Sequence, residues 1–221
     1  KLCSTKEISR SKTNGTATAN QTISPDGSQN ADRFAENTTT SAHHISRNNI
    51  PILSGVSHTL SVFVKANGRN TFRLFSAHGS TSSFAYFNLK TKSIGSVQSI
   101  VGGAKIEEYP NDWYRCSITF TSASTSAYVQ FLLALDNEAT TYLGDGSSGM
   151  YFWGAQLEEG SYQTSYISWD GSGTTTRSAD VCNGSGTSAE FNDSEGVLFA
   201  EVAYLEDTRR EISINNGSNN E

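Results

Sequence analysis

Short runs of alternating hydrophobic and polar residues recur along most of this 221-residue chain. In residues 58–66 (HTLSVFVKA), Leu60, Val62 and Val64 share one face of an extended strand, because successive side chains of a strand point to opposite sides. Further runs that predict strands are residues 83–89, 113–121, 127–135 and 150–157. The alternation therefore predicts a protein built largely of short β-strands.

Clusters of Gly, Asn, Asp and Pro separate these runs and are typical of turns. Asn67-Gly68 predicts a hairpin in which residues 70–76 form the return strand. The segment 15–37 fits one or two edge strands around a turn at residues 25–27. Many short strands without a helical period indicate an all-β fold, specifically a jelly-roll β-sandwich with a short C-terminal β extension.

The composition agrees with this fold and limits the partners. Charged residues make up only 17% of the chain, and Ser, Thr and Asn, which fill much of the rest, compete with helices for backbone hydrogen bonds. A net charge of −6 argues against nucleic acid as a partner, because phosphate binding requires a basic surface. No apolar run approaches the roughly 18–20 residues of a membrane span, so we expect no membrane insertion.

The stretch 151–182 predicts a domain boundary. It begins as a strand (YFWGAQLEE) and passes into a Gly/Ser/Thr-rich linker at residues 169–177. A new strand pattern begins at residues 196–204, but two or three strands cannot bury a core of their own. We therefore expect one domain at 1–182, with 183–221 forming a linker and the opening strands of an incomplete second sandwich.

Several of these segments resemble one family. Residues 58–67 (HTLSVFVKAN) resemble YTLSVYVKAN, and residues 111–116 (NDWYRC) resemble its GWYRCS strand, with Asp112 replacing the usual Gly. KTNG at 12–15, SPDG at 24–27 and the block 151–181 follow the same order. This pattern resembles the carbohydrate-binding-module-like jelly-roll domains of bacteriophage tail and virion proteins. Residues 195–219 resemble the opening strands of a laminin-G or concanavalin-like domain.

The resemblance covers roughly residues 8–182 and implies a biological setting. The resemblance implies an extracellular virion protein that binds bacterial surface polysaccharide and contacts other virion subunits. Whether the chain also forms a homo-oligomer is left open. The family often has a Trp just before its KTNG segment, whereas this chain has Ser9–Ser11 there. No ligand contact is therefore assigned to that position.

Glycan binding requires aromatic rings that stack on sugar C–H faces and polar groups that hydrogen-bond hydroxyls. Trp113 shares a face with Arg115 opposite the apolar positions, which favours an exposed ring, whereas Trp153 shares a period-two face with Ala155 and Leu157, which favours burial. The outward positions that fit this chemistry are Lys65, Arg73, Tyr86, Trp113, Tyr128, Gln130 and Gln156. The alternative is an ordinary solvated sheet face.

Catalytic motifs such as GxSxG, HExxH or a P-loop do not occur in the sequence. The pairs Glu107-Glu108 and Glu158-Glu159 are adjacent, so on a strand the two carboxylates point to opposite faces and cannot act as a facing acid and base. We therefore predict that the chain is not an enzyme.

Metal sites find little support in the sequence. The resemblance leaves a structural calcium open, for which the turn-associated oxygen ligands are Asp26, Asp32, Asp145 and Glu158. Adjacent His43 and His44 face opposite sides of a strand and cannot share one ion. The cysteines have no CxxC spacing; Cys116 fits a buried strand position, and Cys3 and Cys182 either form a bridge or are unrelated surface thiols.

The sequence thus favours a non-catalytic glycan-binding module of a phage tail or virion protein. Two alternatives stay open. One is a structural module that assembles virion subunits without a ligand. The other is an accessory domain of a polysaccharide depolymerase whose catalytic residues lie elsewhere.

Overall fold

A computed structural model describes residues 11–168 of the chain. The proposed domain boundary, the strand at 196–204 and the Cys3–Cys182 pairing lie outside this part. In chain order its strands are β1 (Ser11–Thr13), β2 (Gly15–Thr22), β3 (Ala31–Glu36), β4 (Thr40–Ser41), β5 (His44–Pro51), β6 (Ser57–Asn67), β7 (Thr71–His78), β8 (Thr81–Asn88), β9 (Ser93–Gln98), β10 (Ala104–Tyr109), β11 (Trp113–Thr121), β12 (Ser126–Ala134), β13 (Tyr142–Leu143) and β14 (Gly149–Glu159).

The strands form two large antiparallel sheets that pack as a sandwich. Sheet I has the order β1-β5-β12-β7-β8-β9, and sheet II has the order β10-β11-β6-β14-β3-β2. β4 and β13 form a small third sheet. The predicted all-β sandwich is confirmed, and the described part of the chain contains no helix with the length and hydropathy of a membrane span.

The core lies between the two sheets and follows the alternation of the sequence. Phe72 of sheet I contacts Phe87 of the same sheet at 5.5 Å and Phe152 of sheet II at 6.1 Å between ring centroids. Phe131 lies 5.7 Å from the same Phe152 ring. Other inward residues, as the alternation predicts, are Leu60, Val62, Val64, Cys116, Ile118, Phe120, Val129 and Leu133. Removal of these side chains from water is the main force that holds the sheets together.

The predicted hairpin at Asn67-Gly68 is wrong. β6 pairs with β11 and β14 in sheet II, whereas β7 pairs with β8 and β12 in sheet I. Gly68 has a φ of +88° and forms a bridge with Gly149, so the chain turns from one sheet into the other. Both strands carry an apolar face, and a connection between sheets lets these faces oppose each other across the core. The predicted turn at 25–27 does join neighbours, since β2 and β3 are paired.

The outer face of sheet II is covered by residues 160–168, which we call the closing segment. Tyr166 packs on Trp153 with 4.4 Å between ring centroids. An Arg115 Nη donates a 2.7 Å hydrogen bond to the carbonyl of Thr164. A second apolar cluster beneath this cover contains Ala31, Phe63, Trp113 and Trp153. Sheet II is therefore buried on both sides along much of its centre.

A polar cluster of Glu36, Arg69, Tyr142 and Asp145, the corner cluster, joins β3 to the β6–β7 and β13–β14 connections. The Glu36 side chain is 0% exposed and accepts hydrogen bonds from Arg69 Nε at 2.9 Å, a second Arg69 nitrogen, the Tyr142 hydroxyl at 2.7 Å and the backbone N–H of Asp145 at 2.9 Å. The Arg69 guanidinium also lies 5.0 Å from the centre of the Tyr142 ring. These contacts fix the direction in which the chain leaves β6.

Candidate ligand-binding face of sheet I

Aromatic and polar side chains meet on the outer face of sheet I. β7 is flanked by β8 and β12, and the register places Arg73 opposite Tyr86, and Phe75 opposite both Phe84 and Gln130. Directly opposed residues of an antiparallel pair point to the same side of the sheet. We call the outward set Arg73, Phe75, Phe84, Tyr86, Tyr128 and Gln130 the aromatic face.

Arg73 lies at the centre of this face among three rings. The Arg73 guanidinium carbon is 5.1 Å from the centre of the Phe75 ring, 5.3 Å from Phe84 and 5.8 Å from Tyr86. Each distance is within the roughly 6 Å at which a cation is attracted by an aromatic ring. Phe84 and Tyr86 meet edge to face at 5.7 Å. The rings therefore hold the guanidinium in place.

Gln130 and Tyr128 extend the face onto β12. Gln130 Nε2 donates to the Tyr128 hydroxyl at 3.1 Å, and an Arg73 Nη reaches Gln130 Oε1 at 3.5 Å, the limit of a hydrogen bond. The Tyr128 ring meets Phe75 edge to face at 6.2 Å. An amide and a phenol thus lie beside flat apolar rings.

The aromatic face is accessible in part. Phe75, Phe84 and Tyr128 are half-buried, whereas the inward Phe72 on the same sheet is fully buried. Tyr86 is the most covered of the rings, at 8% exposure. Half-exposed rings next to an amide and a guanidinium offer stacking surface and hydrogen-bond donors together.

His44 and Leu132 continue the row of Arg73 toward the sheet edge. The register pairs Leu132 with Arg73 on one side and with His44 on the other. Burial lowers the pKa of His44, and the positive charge of Arg73 acts in the same direction. Among residues 11–168, the Nδ1 atom of His44 and the Nε atom of Arg73 are both buried without a hydrogen-bond partner. This row therefore holds two polar atoms whose hydrogen-bonding capacity is unused.

The structure brings together Arg73, Tyr86, Tyr128 and Gln130 of the seven predicted site residues. The other three belong to sheet II. Lys65 Nζ donates a 2.7 Å hydrogen bond to the carbonyl of Asn111. The outer faces of the two sheets point in opposite directions, so the seven residues do not form one surface.

Two of the sheet II residues are covered rather than outward-facing. Trp113, for which the alternation favoured exposure, is 1% exposed, and its indole N–H donates to the Ile23 carbonyl at 3.0 Å. Gln156 is 2% exposed; its side chain donates to Glu158 and accepts from the backbone N–H of Ile167 at 3.2 Å. The alternation of the sequence places both residues on the outer face of sheet II, as observed. That face, however, is covered by the closing segment and by the β2–β3 loop that contains Ile23.

Trp153 is buried as expected, but on the other side of sheet II. The pairing of β14 with β6 shifts register between Trp153 and Gln156, and Gly154 within this bulge has a φ of +60°. The bulge places Ala155 and Leu157 in the main core while Trp153 joins the outer cluster. The predicted shared face of Trp153 with Ala155 and Leu157 is therefore wrong.

Sequence reasoning did not select Phe75, Phe84 or His44. Phe75 and Phe84 lie two residues from the selected Arg73 and Tyr86 in predicted strands, so period-two counting was sufficient to find them. His43 is fully buried, with Nδ1 2.7 Å from the Asn14 carbonyl, and only His44 lies on the aromatic-face side, as the opposite directions of adjacent residues predict.

The candidate calcium ligands do not come together as a cluster. Within residues 11–168 no group of three or more His, Cys, Asp or Glu side chains is arranged to hold a metal ion. Asp26 accepts hydrogen bonds from Ser24 and Ser28 at 2.7 Å, and Asp145 accepts from the N–H of Ser148 at 2.6 Å. Hydrogen bonds from Ser148 and Ser147 hold the pKa of Asp145 well below its usual range. These carboxylates stabilise their own turns.

Comparison with known proteins finds similar solved structures. No protein-family model matches the sequence, and no curated protein matches it in sequence. Among solved structures, the chain is similar to the enzymatically active domain of bacteriophage CBA120 tailspike protein 4, with 11% identity and a TM-score of 0.41 over 69% of this chain. The match spans only 20% of that tailspike chain.

Two structures that contain carbohydrate-binding modules are also similar. A CBM4 structure shares 14% identity over 66% of this chain and 80% of its own, with a TM-score of 0.37. The CBM22-1–GH10 modules of Clostridium thermocellum xylanase 10B, in complex with xylohexaose, share 17% identity over 75% of this chain and 26% of theirs, also at 0.37. TM-scores of 0.37–0.41 are too low to carry an argument about function.

Proposed function

We propose that the described domain is a non-catalytic glycan-binding module and that the aromatic face is its binding surface. The supporting observation is the grouping of Phe75, Phe84 and Tyr128 with the polar ends of Arg73 and Gln130 on one half-exposed face. A sugar ring has apolar C–H faces and a rim of hydroxyls, and this surface offers groups for both.

The sequence resemblance supports a virion as the biological setting of this module. The segments around residues 58–67 and 111–116 resemble tail and virion domains of bacteriophages. The proposal is therefore that the module is part of an extracellular virion protein, binds polysaccharide of a bacterial surface and contacts other virion subunits. The chemistry is reversible binding to a preformed surface.

A glycan array followed by calorimetric titration of the best ligand tests this function. Tyr128→Ala and Phe75→Ala remove rings from the aromatic face without opening the core, and we expect each to weaken binding about tenfold, equivalent to about 1.4 kcal/mol. Tyr162→Ala is the matched control, because this ring is 38% exposed and lies in the closing segment on sheet II. Equal loss of affinity in the control and in the two aromatic variants would contradict the assignment of the surface.

The alternative of an assembly module makes a different prediction. β9 is an edge strand of sheet I, with Ile94 39% and Val97 50% exposed. An exposed apolar edge strand offers unpaired backbone groups to another chain. A stable oligomer in solution, with no binding to any bacterial polysaccharide, would favour assembly over glycan binding.

A further inference from the structure

We propose that the aromatic face selects glycans that carry carboxylate groups, such as uronic acids, and that Arg73 binds the carboxylate. This inference rests on the proposed glycan-binding function and specifies its ligand class. Arg73 is the one cationic side chain of the aromatic face, and its position among Phe75, Phe84 and Tyr86 is fixed by the register of β7 and β8.

The hydrogen-bonding capacity of Arg73 is largely unused. A guanidinium has five N–H donors. Its contact with Gln130 is at the 3.5 Å limit, and its Nε is buried without a partner in the described part of the chain. The buried Nε is not accessible to a ligand, but a carboxylate can accept two parallel hydrogen bonds from the terminal nitrogens of an arginine. The Nη groups of Arg73 are therefore the donors that a ligand carboxylate would bind.

Arg73 also lacks a countercharge within residues 11–168. No carboxylate of these residues lies within ion-pair distance of its guanidinium, whereas Arg69 pairs with Glu36 in the corner cluster. Two acidic side chains of the β12–β13 connection make hydrogen bonds to sheet I. Asp136 accepts from Thr71 at 2.8 Å, and Glu138 accepts from the backbone N–H of Ser96 at 2.8 Å.

The surrounding rings strengthen the preference for an anion. The faces of the rings attract the guanidinium, but they do not accept its N–H groups as an oxygen atom does. These N–H groups therefore stay available to a ligand. Arg73 is also half-buried, and a charge-assisted hydrogen bond is stronger where less water surrounds it.

The net charge of the chain opposes this preference at long range. At −6 the protein repels polyanions on average, and this repulsion is screened at physiological salt, where the Debye length is about 8 Å. Selection of a carboxylate is therefore a local property of Arg73. It is expected to persist at about 0.15 M salt, where long-range effects are weak.

The test compares acidic saccharides with their own neutral forms. Polygalacturonate and alginate oligosaccharides, and the same oligosaccharides after reduction of the carboxyl groups, are titrated against the full chain at about 0.15 M salt. We expect at least one acidic oligosaccharide to bind about tenfold or more tightly than its reduced form. Arg73→Gln should abolish that difference, and Lys105→Gln, which removes an exposed positive charge from β10 of sheet II, should leave it unchanged.

The outcomes separate this inference from the proposed function. Equal affinity for acidic and reduced forms overturns the carboxylate preference and leaves glycan binding intact. An acidic preference that survives in Arg73→Gln also overturns it. No binding of any saccharide, acidic or neutral, overturns the proposed function itself. If Arg73→Gln does not fold, as judged by its circular dichroism, the wild-type comparison of acidic and reduced forms decides alone.

Discussion

Replacement of Arg69 by Met tests whether the buried carboxylate of Glu36 depends on its ion pair with Arg69. The substitution removes the countercharge and two of the four hydrogen bonds to Glu36, whose side chain is 0% exposed. Breaking a buried ion pair from one side costs about 3–5 kcal/mol, because the remaining charge stays buried. In a domain of this size each kcal/mol lowers Tm by about 2–4 °C, so the expected loss is roughly 6–20 °C.

The pH dependence of this loss gives a sharper test. Burial raises the pKa of Glu36, but hydrogen bonds from Arg69, the Asp145 N–H and Tyr142 outweigh it and hold the pKa below the usual 4.5. A lowered carboxyl pKa means that Glu36 stabilises the fold above about pH 4.5 and that this contribution is lost as the pH falls through the folded-state pKa.

Without Arg69, the pH dependence of the contribution that Glu36 makes to stability has the opposite sign. Burial then dominates and raises the pKa of Glu36, so its destabilising effect grows as the pH rises through that value. Urea unfolding at about pH 4 and about pH 7 should show that Arg69→Met costs less at the lower pH. Lys92→Met is the control, because the Lys92–Glu108 pair is 52% and 62% exposed and should contribute nothing measurable. A loss below about 1 kcal/mol at neutral pH, or one independent of pH, would refute the reasoning.

Two further predictions concern the interior. Burial raises the pKa of the Cys116 thiol well above its usual value. A variant lacking Cys3 and Cys182 should therefore resist modification by maleimide in the native state and react fully in denaturant. Rapid labelling of the native protein would contradict the burial of Cys116. Gly149→Ala places a Cβ 1.9 Å from the Phe34 carbonyl oxygen and should lower the unfolding free energy by about 1–3 kcal/mol in denaturant titration, and an unchanged midpoint would show that the backbone yields freely there.

The alternation in the sequence predicted much of the fold because strand direction is a local property. The faces of β6, β11 and β12 follow from a period of two that each strand carries by itself. For the same reason the alternation places Arg73 and Tyr86 on an outward face, which the register confirms. Residues missed on that face, such as Phe75, obey the same period.

Pairing and coverage depended on distant parts of the chain. The Asn67-Gly68 turn has the composition of a hairpin, yet β6 and β7 separate because their partners, β14 and β12, come much later in the sequence. The bulge at Gly154 moved Trp153 to the opposite face, which no count of alternation detects.

The sequence by itself thus determined that the chain forms strands, which side of most strands is apolar, and that polar and aromatic groups occupy the outer positions. Only the tertiary structure decided which outer face is available. The closing segment and the β2–β3 loop cover Gln156 and Trp113 on sheet II, whereas the rings of Phe75, Phe84 and Tyr128 on sheet I stay half-exposed. The physical reason is that exposure of a strand face depends on what packs against it, and that segment lies far from the face in sequence.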